Sequence, residues 1–165
     1  MIVVADTTPL ISLMKIEKLD ILEKMFHEIQ IPTAVFDELV SAERFQNEAE
    51  IIRNSTFIHV RSVDEPQAVE RLRKERELDL GESEAIVLTE QLQADVLIVD
   101  EAAARAVAKS LGLSITGTIG ILIEAYYRKM LSDDQIIACV EGLRHTNRHI
   151  SEKYMHKLLS LIYRH

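Results

Sequence analysis

Two aspartates stand directly behind short apolar runs in this chain: Asp6 follows Ile2-Val3-Val4-Ala5, and Asp100 follows Val96-Leu97-Ile98-Val99. An apolar run without alternation is the pattern of a strand buried on both faces, as in a parallel sheet covered by helices. Side chains just past the carboxyl end of such a strand line the crevice where open α/β sheets bind ligands. If the two strands are neighbours, the carboxylates lie a few ångströms apart and repel each other. A divalent cation is the usual remedy, so these residues point to an acidic crevice for Mg²⁺ or Mn²⁺. Two more segments add carboxylates. Glu38, beside Asp37 and among the apolar Val35, Phe36 and Leu39, would face the crevice from an adjoining helix. Glu82 and Glu84 open another helix, where the positive end of the helix dipole favours ionised side chains. Asp6, Glu38, Glu82 or Glu84, and Asp100 thus supply four acidic positions from four segments. Around Mg²⁺ such a set suits in-line attack on a phosphodiester, because the metal activates a bound water and stabilises the leaving oxygen. Mg²⁺ keeps several waters, so some of the four would act from outside its coordination sphere. Against this stands the abundance of acids: 27 in 165 residues must fall somewhere, and strand ends are exposed.

The elements that would position these groups alternate strand and helix. Pro9 to Ile16 and Leu19 to Phe26 read as helices, with Pro9 tolerated in a first turn. His27 to Ile31 is a short strand closed by Pro32, and Thr33 caps a helix that continues or breaks near Ser41. Phe57 to Arg61 alternates like a half-exposed strand. Gln67 to Glu77 is a helix whose opposite charges at spacings of three and four suit a solvated face. Gly81 is expected to break that helix, with Glu82 and Glu84 in the first turn of the next. Ala102 to Gly112 reads as a helix stopped by glycine, Leu113 to Ile115 as an edge strand, and Ile119 to Leu131 as a central apolar helix. Ser132 and Ser151 cap two last helices. The alternation gives an α/β class with a mostly parallel sheet.

A length of 165 residues suits one domain with a proper core. The 47% hydrophobic and 28% charged content is that of a soluble globular protein. No apolar run approaches the roughly 18 to 20 residues that span a bilayer, and no signal peptide precedes Asp6, so a cytoplasmic location is expected. The single cysteine, Cys139, rules out an internal disulfide. A net charge of −8 argues against simple electrostatic attraction to nucleic acid.

The segments VADTTPLISLMKI, IPTAVFDELV, LGESEAI, LIVDEAAAR and ITGTIGILIEAYYRKML, in this order and spacing, resemble a PIN domain. They resemble most an uncharacterised branch of that family. The resemblance covers about residues 1–145 and implies a three-layer α/β/α fold with a mostly parallel central sheet. Residues 146–165 would form a C-terminal helical extension packed on the same domain. It further implies an endoribonuclease with Mg²⁺ or Mn²⁺ held by clustered carboxylates. Many relatives are VapC-type toxins beside a small antitoxin, often as homodimers. By position the family acids fall on Asp6, Glu38, Glu82 and Asp100, with Glu84 as the fallback for Glu82. Thr7 and Thr116 match hydroxyl positions that line such sites. A glutamate at 82, where toxins commonly carry aspartate, is a departure that lengthens the side chain.

Other candidates are weaker. Arg144 to His165 carries five Lys or Arg against one Glu, and four of the six histidines. It would contact phosphates or an acidic partner, or simply form the solvated face of a last helix with Leu158, Leu159 and Ile162 inward. His145 and His149 have helical metal spacing but lack the glutamate of a metalloprotease helix between them. Cys139 lies among Ile136, Ile137 and Val140 and reads as a packed thiol. The Walker lysine of a phosphate loop is absent. Two alternatives to the nuclease are a non-catalytic module of the same fold that binds nucleic acid or protein, and a receiver-like phosphoacceptor domain. The latter lacks a convincing acceptor aspartate and lysine.

Overall fold

The computed structural model describes residues 1–146 and 150–164. His149, and with it the His145–His149 spacing, lies outside the described residues. Five strands form one sheet in the order β3-β2-β1-β4-β5: β1 (Val3–Ala5), β2 (Ile29–Pro32), β3 (Ile58–Arg61), β4 (Val96–Ile98) and β5 (Ile115–Thr116). Every pairing is parallel. The charge-free runs become the central strands: Val3, Val4, Ala5, Leu97 and Ile98 are wholly buried. The alternating segment becomes the edge strand β3, where Val60 is exposed.

Ten α-helices among the described residues cover the sheet: α1 (Thr7–Lys15), α2 (Asp20–Phe26), α3 (Thr33–Ser41), α4 (Gln46–Asn54), α5 (Pro66–Arg76), α6 (Leu80–Gln91), α7 (Ala102–Ser110), α8 (Thr118–Tyr127), α9 (Asp133–Thr146) and α10 (Glu152–Ser160). Side chains of successive strand residues point to opposite faces, and the core divides accordingly. Val3, Ala5 and Ile98 pack with Leu10, Leu13, Ile121, Leu122 and Val140. Val4, Leu97 and Val99 pack with Ile86 and Leu88 of α6 and Ala104 and Val107 of α7. The result is a three-layer α/β/α sandwich. Met155, Leu158 and Leu161 join the first of these cores, so α10 is seated on α8 and α9 through its apolar face. No helix among the described residues is long and apolar enough to cross a membrane.

Three local expectations change. Gly81 lies inside α6, which Asp79 caps; the break before it falls at Glu77, in the left-handed region at φ 55°. The side chain of Asp79 accepts from the N–H of Glu82, and the side chain of Glu82 accepts from the N–H of Asp79, a reciprocal capping box. Thr33 does not cap α3. Pro32 holds the cap position without a side-chain acceptor, and Glu84 of α6 accepts the N–H of Ala34 at 3.0 Å instead. The last apolar helix before Ser132 stops at Tyr127, because Lys129 turns left-handed at φ 61° and the Met130 N–H returns to the Ala125 carbonyl. The chain does break at Ser41, where α3 gives way to a short 3-10 turn (Glu43–Phe45) and α4.

Candidate active site

In a sheet ordered 3-2-1-4-5, the strand order reverses between β1 and β4, and the crevice outside their carboxyl ends is where such folds bind ligands. Asp6 and Asp100 sit at that mouth. The pairing of Ala5 with Ile98, and the Asp6 N–H donating to the Ile98 carbonyl at 3.0 Å, set Asp100 about one residue farther out than Asp6. Consequently the two carboxyls rest on different helices. Asp6 faces the first turn of α6. The Asp100 carboxylate is gripped by the first residue of α8: the Thr118 N–H donates to Oδ1 at 2.8 Å, and Thr118 Oγ1 to Oδ2 at 2.7 Å.

Gly81 marks where the acids converge. A methyl group there would stand 3.3 Å from Glu38 Oε2 and 3.7 Å from both Asp6 Oδ1 and Asp79 Oδ1. Three segments thus meet around one bare backbone position. Thr7, buried in the first turn of α1, donates its hydroxyl to Glu38 Oε2 at 2.9 Å and orients it. Gly117 has the matching role at Asp100: a Cβ there would lie 2.5 Å from Asp100 Oδ1 and 3.2 Å from the Val99 carbonyl oxygen. Only glycine lets β5 turn into α8 so close to that carboxylate. Thr116, the residue before it, lines the groove beside Asp100.

The electrostatics follow from this crowding. Asp6 is 3% exposed, and its carboxyl is raised from 3.8 to about 8. Burial is the main cause; the charges of Glu82, Asp79 and Glu38 push the same way, and the Thr7 N–H opposes them. Glu82 is raised as well, by burial first and then by Asp79, with Glu101 and Glu38 adding to it. Among the described residues, no basic side chain is one of the groups acting on either carboxyl. A buried carboxyl beside like charges either keeps its proton or gives it up to a cation.

The DUF3368 family model, described as a PIN domain, matches residues 2–164. The chain belongs to the PIN domain family. That match takes in α10, beyond the motifs recognised in the sequence. A comparison with curated proteins finds no match. PIN domains are typically nucleases that use divalent metals, and the donor set of this PIN domain has the right chemistry: hard carboxyl oxygens crowded around a buried acid. Among the described residues, no three His, Cys, Asp or Glu side chains are already spaced to enclose one ion. Mg²⁺ does not require that. It keeps most of its waters and takes one or two carboxylates together with substrate phosphates.

Of the sequence candidates, Asp6, Glu38 and Glu82 act on one another directly, and Asp100 flanks them across the switch point. Glu84 turns away to cap α3. Cys139 is buried, and burial pushes its thiol up. The sequence reading missed Asp79, Glu101 and Thr118. Asp79 was signalled by the Asp-x-x-Glu spacing of a capping box; the grip of Thr118 on Asp100, 18 residues away, had no local signal.

Proposed function

We propose that this PIN domain is a metal-dependent endoribonuclease that hydrolyses RNA phosphodiester bonds at the crevice between β1 and β4. The observation carrying this reading is the buried Asp6, which meets Glu38 and Asp79 around Gly81, with Glu82 beside them and no basic group among the described residues to offset it. Asp6, Glu38, Glu82 and Asp100 would hold Mg²⁺ or Mn²⁺, which when bound supplies an activated water and stabilises the leaving oxygen. The chain's own work is positioning. Thr7 sets the direction of Glu38, Thr118 fixes both oxygens of Asp100, and Gly81 keeps the centre of the acid group open. Burial favours the protonated form of Asp6 near neutral pH, a proton that a bound cation would displace. Val4, Ile86 and Val99 pack in the core cluster shared with α6 and are all essentially buried.

The test is cleavage of end-labelled single-stranded RNA with Mn²⁺, with EDTA, and with the Asp6→Asn and Asp100→Asn proteins. Cleavage that needs Mn²⁺ and is lost in both variants is expected. Wild-type rates in either variant would refute the assignment. Folded, Mn²⁺-loaded protein that cleaves no RNA would favour a non-catalytic binding module of the same fold. A toxin role beside a small antitoxin, and assembly as a homodimer, belong to the same reading. The adjoining reading frame and sedimentation of the purified protein test them.

A further inference from the structure

A groove of about 630 Å³ opens beside Asp100 and Glu101 and is bounded by α7, the β5–α8 turn and α10. Its volume lies within the roughly 300 to 1,000 Å³ of sites that take small ligands. Arg105 and Lys109, four residues apart on one face of α7, line one side, and Tyr154 and Lys157, three apart on α10, line another. On a chain of net charge −8, this brings three cations to one concave surface, against the two carboxyls of Asp100 and Glu101 in the same lining. Arg105 is fixed, its Nη1 donating to the Val99 carbonyl at 2.8 Å, which holds the guanidinium next to Gly117 and Asp100. Lys109 and Lys157 are exposed and take part in no ion pair among the described residues. Tyr154 is 50% exposed, on a helix anchored by the buried Met155 and Leu158. Ile119 and Ile123 of α8 add apolar surface to the lining.

We propose that this groove holds the single-stranded nucleic acid on one side of the bond to be cut. Phosphates lie on Arg105, Lys109 and Lys157, and a base stacks on Tyr154. This rests on the nuclease reading above and adds to it where the strand runs. Cations at intervals along a groove beside an exposed ring are the two parts of a sequence-tolerant single-strand platform, electrostatic tracking and base stacking. An acidic protein segment would use the cations but leave the ring and the apolar lining without purpose. The groove also explains how a chain of negative net charge engages RNA: the attraction is local.

The test is fluorescence anisotropy with a short labelled single-stranded oligoribonucleotide in EDTA, so that cleavage plays no part. Wild type binds with strong salt dependence. Lys109→Glu/Lys157→Glu weakens binding at least about ten-fold, and the slope of log affinity against log salt falls by roughly 1.4, about 0.7 for each phosphate that is no longer neutralised. Tyr154→Ala weakens it by about ten-fold, to a similar degree for oligonucleotides of different base composition. Lys74→Glu/Arg76→Glu on α5 makes the same change in net charge outside the groove and leaves binding near wild type. Thermal melts confirm folding, and Lys109→Gln/Lys157→Gln replaces the reversal pair if that protein does not fold. Equal losses in the groove and α5 variants, or none in the groove variants, would overturn the proposal. So would a wild type that binds polyglutamate and not the oligonucleotide. Intact, groove-dependent binding without Mn²⁺-dependent cleavage would instead refute the nuclease reading and leave the groove standing.

Discussion

Replacing Asp6 by Asn should make the metal-free protein more stable, and increasingly so as pH rises. The Asp6 carboxyl stands at about 8 in the fold against an ordinary 3.8. Below pH 3.8 both folded and unfolded chains carry it protonated, and nothing is lost. As pH rises, the unfolded chain releases this proton while the folded chain keeps it, so stability falls by about 1.4 kcal/mol per pH unit until pH 8. The whole interval of about four units amounts to roughly 6 kcal/mol, a large share of the 5–15 kcal/mol that holds a typical domain together. Asn has nearly the shape of the protonated acid and never ionises. Urea unfolding of both proteins in EDTA, from pH 5 to 9, reads the effect, and their difference cancels the other carboxylates. The gap should widen steadily in favour of Asp6→Asn and level off above pH 8. Saturating Mn²⁺ should narrow it by about half at pH 8, since a ligand at one hundred times its Kd adds about 2.7 kcal/mol to the protein that binds it. A gap that is constant across this range, or a variant less stable than wild type at pH 8 in EDTA, would refute the reasoning.

Three further outcomes follow from particular contacts. Gly81→Ala should raise helix stability by up to about 1 kcal/mol while weakening Mn²⁺ binding, because its methyl group meets Glu38 Oε2 at 3.3 Å; thermal melts and calorimetry on one preparation separate the two effects. Glu84→Ala should lose about 0.5–2 kcal/mol, as for a helix cap, with Mn²⁺-dependent cleavage retained, whereas Glu82→Gln should lose cleavage. Ser83 is fully buried and its hydroxyl has no hydrogen-bond partner among the described residues, so Ser83→Ala should stabilise the protein by about 1 kcal/mol or more in chemical denaturation.

What could be read in advance depended on whether the cause was local. Val3-Val4-Ala5 and Val96-Leu97-Ile98 declare their burial because neither face needs a polar residue, and an acid ending such a run declares the crevice. The register could not be read, and it is the register that sends Asp6 toward α6 and Asp100 toward α8. Glu82 and Glu84 both open one helix, and from the sequence only the family resemblance prefers Glu82, with Glu84 as its fallback. The fold separates them physically: Pro32 leaves α3 without its own cap, and Glu84 reaches across to supply it. Gly81 reads as a breaker by propensity, but the Asp79–Glu82 capping box secures the helix around it, and its missing side chain serves the acid centre instead. The groove along α7 and α10 joins residues about fifty positions apart, and only the packing of α10 on the core brings them together.

The central claim is that carboxylates from four separate segments act as one cation site. Calorimetric titration of Mn²⁺ into wild-type and Asp6→Asn/Asp100→Asn protein, at pH 6.5 and pH 8 in buffers of different ionisation heat, tests it most directly. The account predicts saturable wild-type binding that tightens with pH, releases a proton as Asp6 ionises, and disappears in the double variant. Equal binding in both proteins, or none in a folded wild type at pH 8, would contradict it.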